Sequence, residues 1–463
     1  MNKFDIVLND IIELHGVSII VENTENNSSY SHDETGVYSN APVWIARPHS
    51  SIEVSNILRL CNEHDVQVNV WGRGTGLAGG SIPVGQAITM DLSKLDKIIH
   101  FSPVDSTILV EAGVLTAQLN EYLIPKGFYY PVDPASAGIC SIGGNIATNA
   151  AGPHSLKYGT TRQYVLNLKA VMMDGSIINS GAQTEKNSSG LSFTQLITGS
   201  EGQLVVVTEA LLKIIPYPTF RMSLILAFDT LSKGLNAVSL LRNSRCGFSA
   251  IEFMEKNAIE VVYAYSPNDV LSLEDNVNCL ILAEIDAYTS EELLLKQEVV
   301  LDLVQNTGQI QDFVADDDKT QADLWKIRKL IGHAVRQRTS YREVDTTVPI
   351  SHLSGLIQKV KEIGAKYGFE SICYGHAGNG NLHINILKDD LSESKWVEIN
   401  QAAVGEIFSF VVSAGGAISG EHGIGVLNRP FMGLQYDQTE LSLMKDIKAV
   451  FDRKNLLNTG KVF

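Results

Sequence analysis

GRGTGLAGGSIPVG, residues 72–85, follows the β-branched run VQVNVW (66–71) and leads into a second such run at 86–90. Six of its fourteen residues are glycine, and Gly74–Gly79 fit the pattern GxGxxG. In a nicotinamide-binding fold that pattern must open a helix at once, so that the helix N-terminus meets the pyrophosphate. Here Pro83 and Gly85 stand where that helix would run. The spacing therefore predicts a loop between two strands, whose successive backbone N–H groups form an anion-binding nest. A plain glycine turn is the commoner fate of such a cluster, but it leaves Arg73 and Thr75 without a task.

A second glycine-rich stretch is PVDPASAGICSIGGNIATNAAGPHSLKYGTTRQYV, 131–165. Small residues dominate Ile146 to Gly152, beside Gly143-Gly144 and the amides Asn145 and Asn149. Small side chains let backbone approach a flat ligand, and amides can serve its polar edges. A third region, GSEGQLVVVTEALLKI (199–214), joins a glycine-rich turn to a strand.

The rest of the composition limits the function. The chain has 463 residues, with 36 Lys+Arg against 52 Asp+Glu, a net charge of −16. Apolar residues make up 44% and charged residues 19%, the balance of a folded globular protein of two or three domains. A pI of about 5.1 argues against a nucleic-acid partner, because phosphate contacts need a concentrated basic face and the sequence shows none. Five scattered cysteines without a CxxC suggest neither a disulfide framework nor a thiolate zinc site. The N-terminus carries Asp5, Asp10 and Glu13 in place of a signal peptide's apolar stretch. No run of 18 apolar residues predicts a spanning helix. A cytoplasmic enzyme is the expectation, with room for peripheral docking at the inner face of the membrane and for a homodimer.

Residues 23–40 read as a polar loop. Helices are expected at 52–64, 115–123, 232–242, 288–305, 320–338 and 353–367, with an amphipathic tail at 437–452. Strands are expected at 66–71, 86–90, 107–111, 165–173, 204–208, 211–215, 222–228 and 279–285. In FESICYGHAGNGNLHINIL (369–387), Asn379-Gly380 marks a hairpin. On one straight strand His376 and His383 would face opposite ways, because side chains alternate. The turn can bring both imidazoles together, and Asn385 shares the face of His383. Glu421-His422 lies in GGAISGEHGIG, 415–425. Two histidines and a carboxylate are a common transition-metal set with open positions.

GRGTGL (72–77), PVDPAS (131–136), SIGGNIATNAAG (141–152), KYGTTRQYVL (157–166) and GSEG (199–202) together resemble the FAD-binding domain of the vanillyl-alcohol oxidase flavoprotein family. The C-terminal half resembles that family's D-2-hydroxyacid dehydrogenases, which act on D-lactate, glycolate or D-2-hydroxyglutarate. The resemblance runs over roughly residues 40–463. It implies an α+β fold, with a two-part FAD-binding domain and a substrate cap on an antiparallel sheet. The C-terminal segment would return to the FAD domain. The boundaries read as 1–217, 218–418 and 419–463.

The resemblance also implies roles. Gly72, Arg73, Gly74, Thr75, Gly76 and Leu77 would cradle the FAD pyrophosphate. Asp133, Pro134, Ser136, Gly143, Gly144, Asn145, Thr148 and Asn149 would line the rest of the cofactor site, with Glu201, Gly202, Val206 and Asn458. No histidine lies between 65 and 99, so the covalent linkage of some relatives is not expected and FAD would be non-covalent. His376, His383 and Glu421 would hold a divalent metal (Zn, Mn or Fe), and His422 would be the general base. Arg328, in ADLWKIRKLIG (322–332), would grip the substrate carboxylate, and Asn385 would support the substrate or the metal. The hydroxyglutarate branch adds a Thr and a Lys for the second carboxylate. Here Gly332 and Glu343 stand at the best-matching positions, which favours a monocarboxylate such as D-lactate or glycolate. Electrons would leave to a quinone, an electron-transfer flavoprotein or a cytochrome. A metal-dependent hydrolase on the same histidines would leave both glycine-rich regions idle, and a non-enzymatic binding protein with a relic fold would show no bleaching of its flavin by D-lactate.

Overall fold

The computed structural model describes residues 2–21, 29–267 and 271–463. The start of the loop expected at 23–40 lies outside them. Chain contacts divide the molecule into two units, Met1–Ala151 with Thr160–Pro216 and Glu421–Phe463, and Gly152–Gly159 with Tyr217–Gly420.

The first unit is built on two sheets. Strands β1 (Ile20–Val21), β2 (Ile45–Ala46), β3 (Val68–Trp71) and β4 (Ile88–Asp91) lie in the order β1-β2-β4-β3. The β2–β4 and β3–β4 pairs are parallel. The helix Ser51–Glu63 packs on this sheet. Ser50 caps it by accepting from Glu53 N–H, and Val54, Ile57, Leu58 and Cys61 form its buried stripe. They join one core with Val68, Ile88, Met90 and Leu457. Each such aliphatic side chain contributes roughly 1.5–3 kcal/mol on burial. Between β3 and β4 the glycine-rich 72–85 stretch contains no helix, which removes the nicotinamide arrangement.

The second sheet holds β5 (Ile98–Ser102), β6 (Thr107–Glu111), β8 (Val165–Val171), β9 (Ile177–Asn179) and β10 (Val206–Lys213), ordered β5-β6-β10-β8-β9. A short ribbon joins β7 (Phe128–Tyr129) to β11 (Ile215–Pro216). The runs at 204–208 and 211–215, expected as two strands, are mostly one. Burial alternates without a break along Val206–Lys213, because Glu209 falls on the less buried face and does not interrupt the period of two. The C-terminal segment is tied in by Lys448, whose ammonium donates to the carbonyls of Gln203 and Leu457 and to Asp452.

The second unit is one seven-stranded antiparallel sheet. Its strands are β12 (Phe220–Phe228), β13 (Ala250–Glu255), β14 (Cys279–Ala287), β15 (Gln311–Ala315), β16 (Tyr341–Thr347), β17 (Ser371–Gly375) and β18 (Asn381–Leu387). Their order is β15-β12-β14-β13-β17-β18-β16. Strands β13 and β16 have no counterpart in the sequence expectation. Every residue of β13, and all but the last of β16, is buried, so neither shows the alternation that marks a half-exposed strand.

Residues 152–159, placed within 1–217 by the sequence reading, belong to this second unit. Acidic residues of β14 hold them. His154 Nε2 lies 2.8 Å from Glu284 Oε1, and Lys157 and Tyr158 both bond Asp286. Trp325 Nε1 donates to Glu284 Oε2 at 2.8 Å. Burial pushes the Glu284 carboxyl up, but His154, Arg221 and Ser249 together outweigh it and hold the group at about 2.

Candidate active site

In the first unit a cavity of about 260 Å³ opens beside the glycine loop. Its walls include Gly72 to Ala78, Pro134 to Ser136, Ser141, Gly143 to Thr148, Ser200 to Gly202, Val205 to Val207, Glu421, His422 and Asn458. Loop and helix approach closely here. A Cβ at Gly72 would lie 3.1 Å from Ser141 Oγ, and one at Gly143 would lie 2.8 Å from the Ala112 Cβ. Glycine at both positions is what permits this approach.

Glu201 has φ of 51° and accepts from the N–H groups of Ile424 at 2.7 Å and Gly425 at 2.8 Å. Burial raises its carboxyl above the ordinary range, against those two donors. Lys461 is buried nearby and donates to Asn69, Asn458 and the Gly80 carbonyl. Burial pulls its amine down to about 7, against the field of Glu201. Asn458 stitches the tail to the core, donating to the Gly202 carbonyl and accepting from Val70 N–H.

Of the residues expected at the cofactor, Gly72 to Leu77, Pro134, Ser136, Gly143, Gly144, Asn145, Thr148, Glu201, Gly202, Val206 and Asn458 line this cavity. Asp133 and Asn149 are not among its lining residues. Asn149 instead ends the helix Ile142–Thr148 in left-handed conformation, and its Oδ1 accepts from Thr160 Oγ1 and Arg162 N–H. Ala112, Cys140 and Ile197 also line the cavity. They are small or apolar and carry no chemical signal in the sequence. Arg73 Nε and Ser81 Oγ, both on residues of the wall, are buried without a hydrogen-bond partner among the described residues. A phosphate-bearing guest would supply the acceptors they lack.

The second unit gathers a different group of side chains. His376 follows β17 and His383 sits on β18. Their rings are 5.3 Å apart between centroids and nearly perpendicular. The connection is a short 3-10 turn, Ala377–Asn379, closed by Gly380 at φ of +73°. No side chain fits there, since a Cβ would lie 2.0 Å from the Val348 carbonyl oxygen. Asn385 shares the face of His383 and donates to the Glu343 carboxylate. Glu343 Oε1 is also 3.3 Å from His383 Nδ1.

Arg328, on the helix Asp318–Arg338, donates from Nε to Glu252 Oε2 at 2.8 Å. Its guanidinium carbon stands 4.8 Å from the centre of the Tyr374 ring. Burial pushes the Glu252 carboxyl up, but His376 and Arg328 prevail and hold it below its ordinary value. The sequence reading missed Glu252, since one acid in an apolar run has no local signature. Glu421 and His422 belong to the first unit, with His422 Nε2 3.7 Å from Glu421 Oε1.

A glycine loop between parallel strands thus faces a cavity in the first unit, and the second unit carries buried histidines and an arginine. A family model described as FAD binding domain matches residues 42–181, and one described as FAD linked oxidases, C-terminal domain, matches 217–462. The chain belongs to this family of FAD-linked oxidases and is an FAD-dependent oxidoreductase. It is 35% identical over 451 residues to a D-lactate dehydrogenase of Archaeoglobus fulgidus, covering 96% of this chain and 98% of the relative. It is 30% identical over 458 residues to the glycolate oxidase subunit GlcD of Bacillus subtilis, covering 99% and 96%. A D-2-hydroxyglutarate dehydrogenase of Stutzerimonas stutzeri is 32% identical over 452 residues, with 96% of each chain covered. Among solved structures, p-cresol methylhydroxylase with substrate bound superposes with a TM-score of 0.82 at 17% identity, covering 99% of this chain and 96% of that one. That likeness speaks for the fold alone. None of these comparisons favours the hydrolase alternative. No helix among the described residues is long and apolar enough to cross a membrane.

Proposed function

We propose that the chain oxidises a small D-2-hydroxyacid to the 2-oxoacid, with D-lactate or glycolate preferred over D-2-hydroxyglutarate. The observation that carries this reading is Arg328. Its Nε is committed to Glu252, the one hydrogen bond it makes to the described residues. The two terminal nitrogens are left for a bidentate grip on a carboxylate. The relatives' names supply the hydroxyacid class. The preference rests on Glu343, whose buried carboxylate beside His383 and Asn385 would repel a second substrate carboxylate.

Bound FAD supplies the hydride acceptor. The residues of the 72–77 loop and of 143–148 would hold it, with Arg73 and Ser81 offering donors to phosphate. His422, on the cavity wall, takes the hydroxyl proton, a task suited to an imidazole near neutral pH. Arg328 orients the substrate by its carboxylate, and Asn385 supports it. His376 and His383, with Glu421, would hold a divalent ion (Zn, Mn or Fe), whose chemistry there is to make a hydroxyl more acidic. The acceptor of the electrons would be a quinone, an electron-transfer flavoprotein or a cytochrome.

The test is anaerobic mixing of the yellow protein with D-lactate, glycolate, L-lactate and D-2-hydroxyglutarate, followed by flavin absorbance. D-lactate or glycolate should bleach it fastest, and L-lactate should not. Fastest reduction by D-2-hydroxyglutarate would overturn the role given to Glu343, and no reduction by any hydroxyacid would overturn the function.

The cofactor seat has its own test in Gly76→Val. Gly76 lines the cavity, a Cβ there meets no heavy atom within 4 Å, and its φ lies outside the left-handed region. The fold should tolerate the change while the guest does not. FAD affinity should fall about 10–100-fold, the equivalent of 1–3 kcal/mol of overpacking, with the melting temperature of the FAD-free protein unchanged. Unaltered FAD affinity would mean that the loop does not hold the cofactor.

A further inference from the structure

We infer that Glu252 is a positioning residue shared by both arms of the hydroxyacid site, fixing the His376 imidazole and the Arg328 guanidinium through one buried carboxylate. His376 Nδ1 lies 2.8 Å from each Glu252 oxygen, and Arg328 Nε lies 2.8 Å from Oε2. Glu252 has no exposed surface and sits in a strand whose six residues are all buried. A carboxylate placed there must be paired, because an isolated buried charge is prohibitively costly. These two side chains provide the pairing.

The chemistry of the acceptor then dictates what each partner can do. An ionised carboxylate only accepts, so the proton of His376 resides on Nδ1 and the lone pair on Nε2. That leaves Nε2 as the ring atom able to bind a cation. Carboxylates that hold a ligand histidine in this way orient the ring and raise its basicity. Glu252 also anchors Arg328 at Nε while the Tyr374 ring supports the guanidinium face. The plane of the terminal nitrogens is thereby set before any substrate arrives, which lowers the ordering cost of binding. One acid on β13 thus aligns an imidazole and a guanidinium drawn from two other elements.

The inference rests on the proposed function for what the two arms hold, but its test separates the two. The FAD-loaded protein is stripped with a chelator, and long-range ¹H–¹⁵N spectra are recorded on the parent, on Glu252→Gln, and on His376→Gln to assign the ring. The parent should show His376 protonated at Nδ1, and Glu252→Gln should lose that single pattern. Zn(II) affinity, read by competition with a chromophoric chelator, should fall roughly 10–100-fold, with FAD content unchanged. Should Glu252→Gln fold poorly because Arg328 is left unpaired, or should its amide oxygen still accept from Nδ1–H, the double variant Glu252→Leu/Arg328→Met removes both charges and the acceptor, and the same two losses are expected in it. An unchanged His376 pattern in the double variant would show Glu252 to be a structural ion pair and overturn the inference, whatever the Zn(II) affinity. A parent that takes up no Zn(II) would sink the metal part of the proposed function alone, because the tautomer decides the role of Glu252 by itself.

Discussion

Replacing His422 with alanine should leave a yellow protein that D-lactate bleaches roughly 10²–10⁴ times more slowly. His422 is one of the two ionisable residues that the C-terminal segment adds to the wall of the first unit's cavity, and Glu421 is the other. Removal of a hydroxyl proton near neutral pH favours the imidazole, since a carboxylate is too weak a base at that pH unless its own affinity for protons is raised. The alanine variant should keep its FAD, because His422 is one wall residue among many from the glycine loop, residues 134–148 and residues 200–207. Stopped-flow measurement under argon reads the rate of flavin reduction directly, apart from any later electron acceptor. A slowing of less than about tenfold falls below the usual contribution of a general base, and the proton would then need another acceptor.

Arg328→Met should lower kcat/KM for D-lactate by roughly 10²–10³, the scale of losing one partner of a desolvated, hydrogen-bonded charge pair. Most of the loss should appear in KM, since the grip on the carboxylate is present in ground and transition states alike. Lactamide has no carboxylate charge and provides the control, because its slow turnover should differ little between parent and variant. Methionine keeps much of the packing volume, and Glu252 retains His376 as a partner, so the fold should survive. Equal losses for D-lactate and lactamide would indicate general damage and remove Arg328 from the substrate site.

How much of this was legible beforehand depended on how local each feature is. The 72–85 loop could be read as a helix-free glycine loop because Pro83 and Gly85 act on their own neighbours. The helix expected at 52–64 and the turn at Gly380 were legible for the same reason, since helical spacing and turn chemistry are properties of a few adjacent residues. Strands β13 and β16 were not, since full burial erases alternation and their polar residues break the continuous apolar run by which the equally buried β14 could be read. With β13 went Glu252, the acid beside His376, while Glu343 was read only through the family resemblance and not as a neighbour of His383.

The sequence by itself determined the glycine loop, the histidine hairpin and the set of residue types available for oxidation chemistry. The tertiary structure decided which acid each histidine meets and that residues 152–159 are bound by Glu284 and Asp286 of the second unit. Glu252 stands 124 positions from His376 and 76 from Arg328 along the chain. No periodicity spans such distances. The register of β13 against β14 and β17 selects those partners, and burial makes the selection binding because a charge in that place cannot remain unpaired.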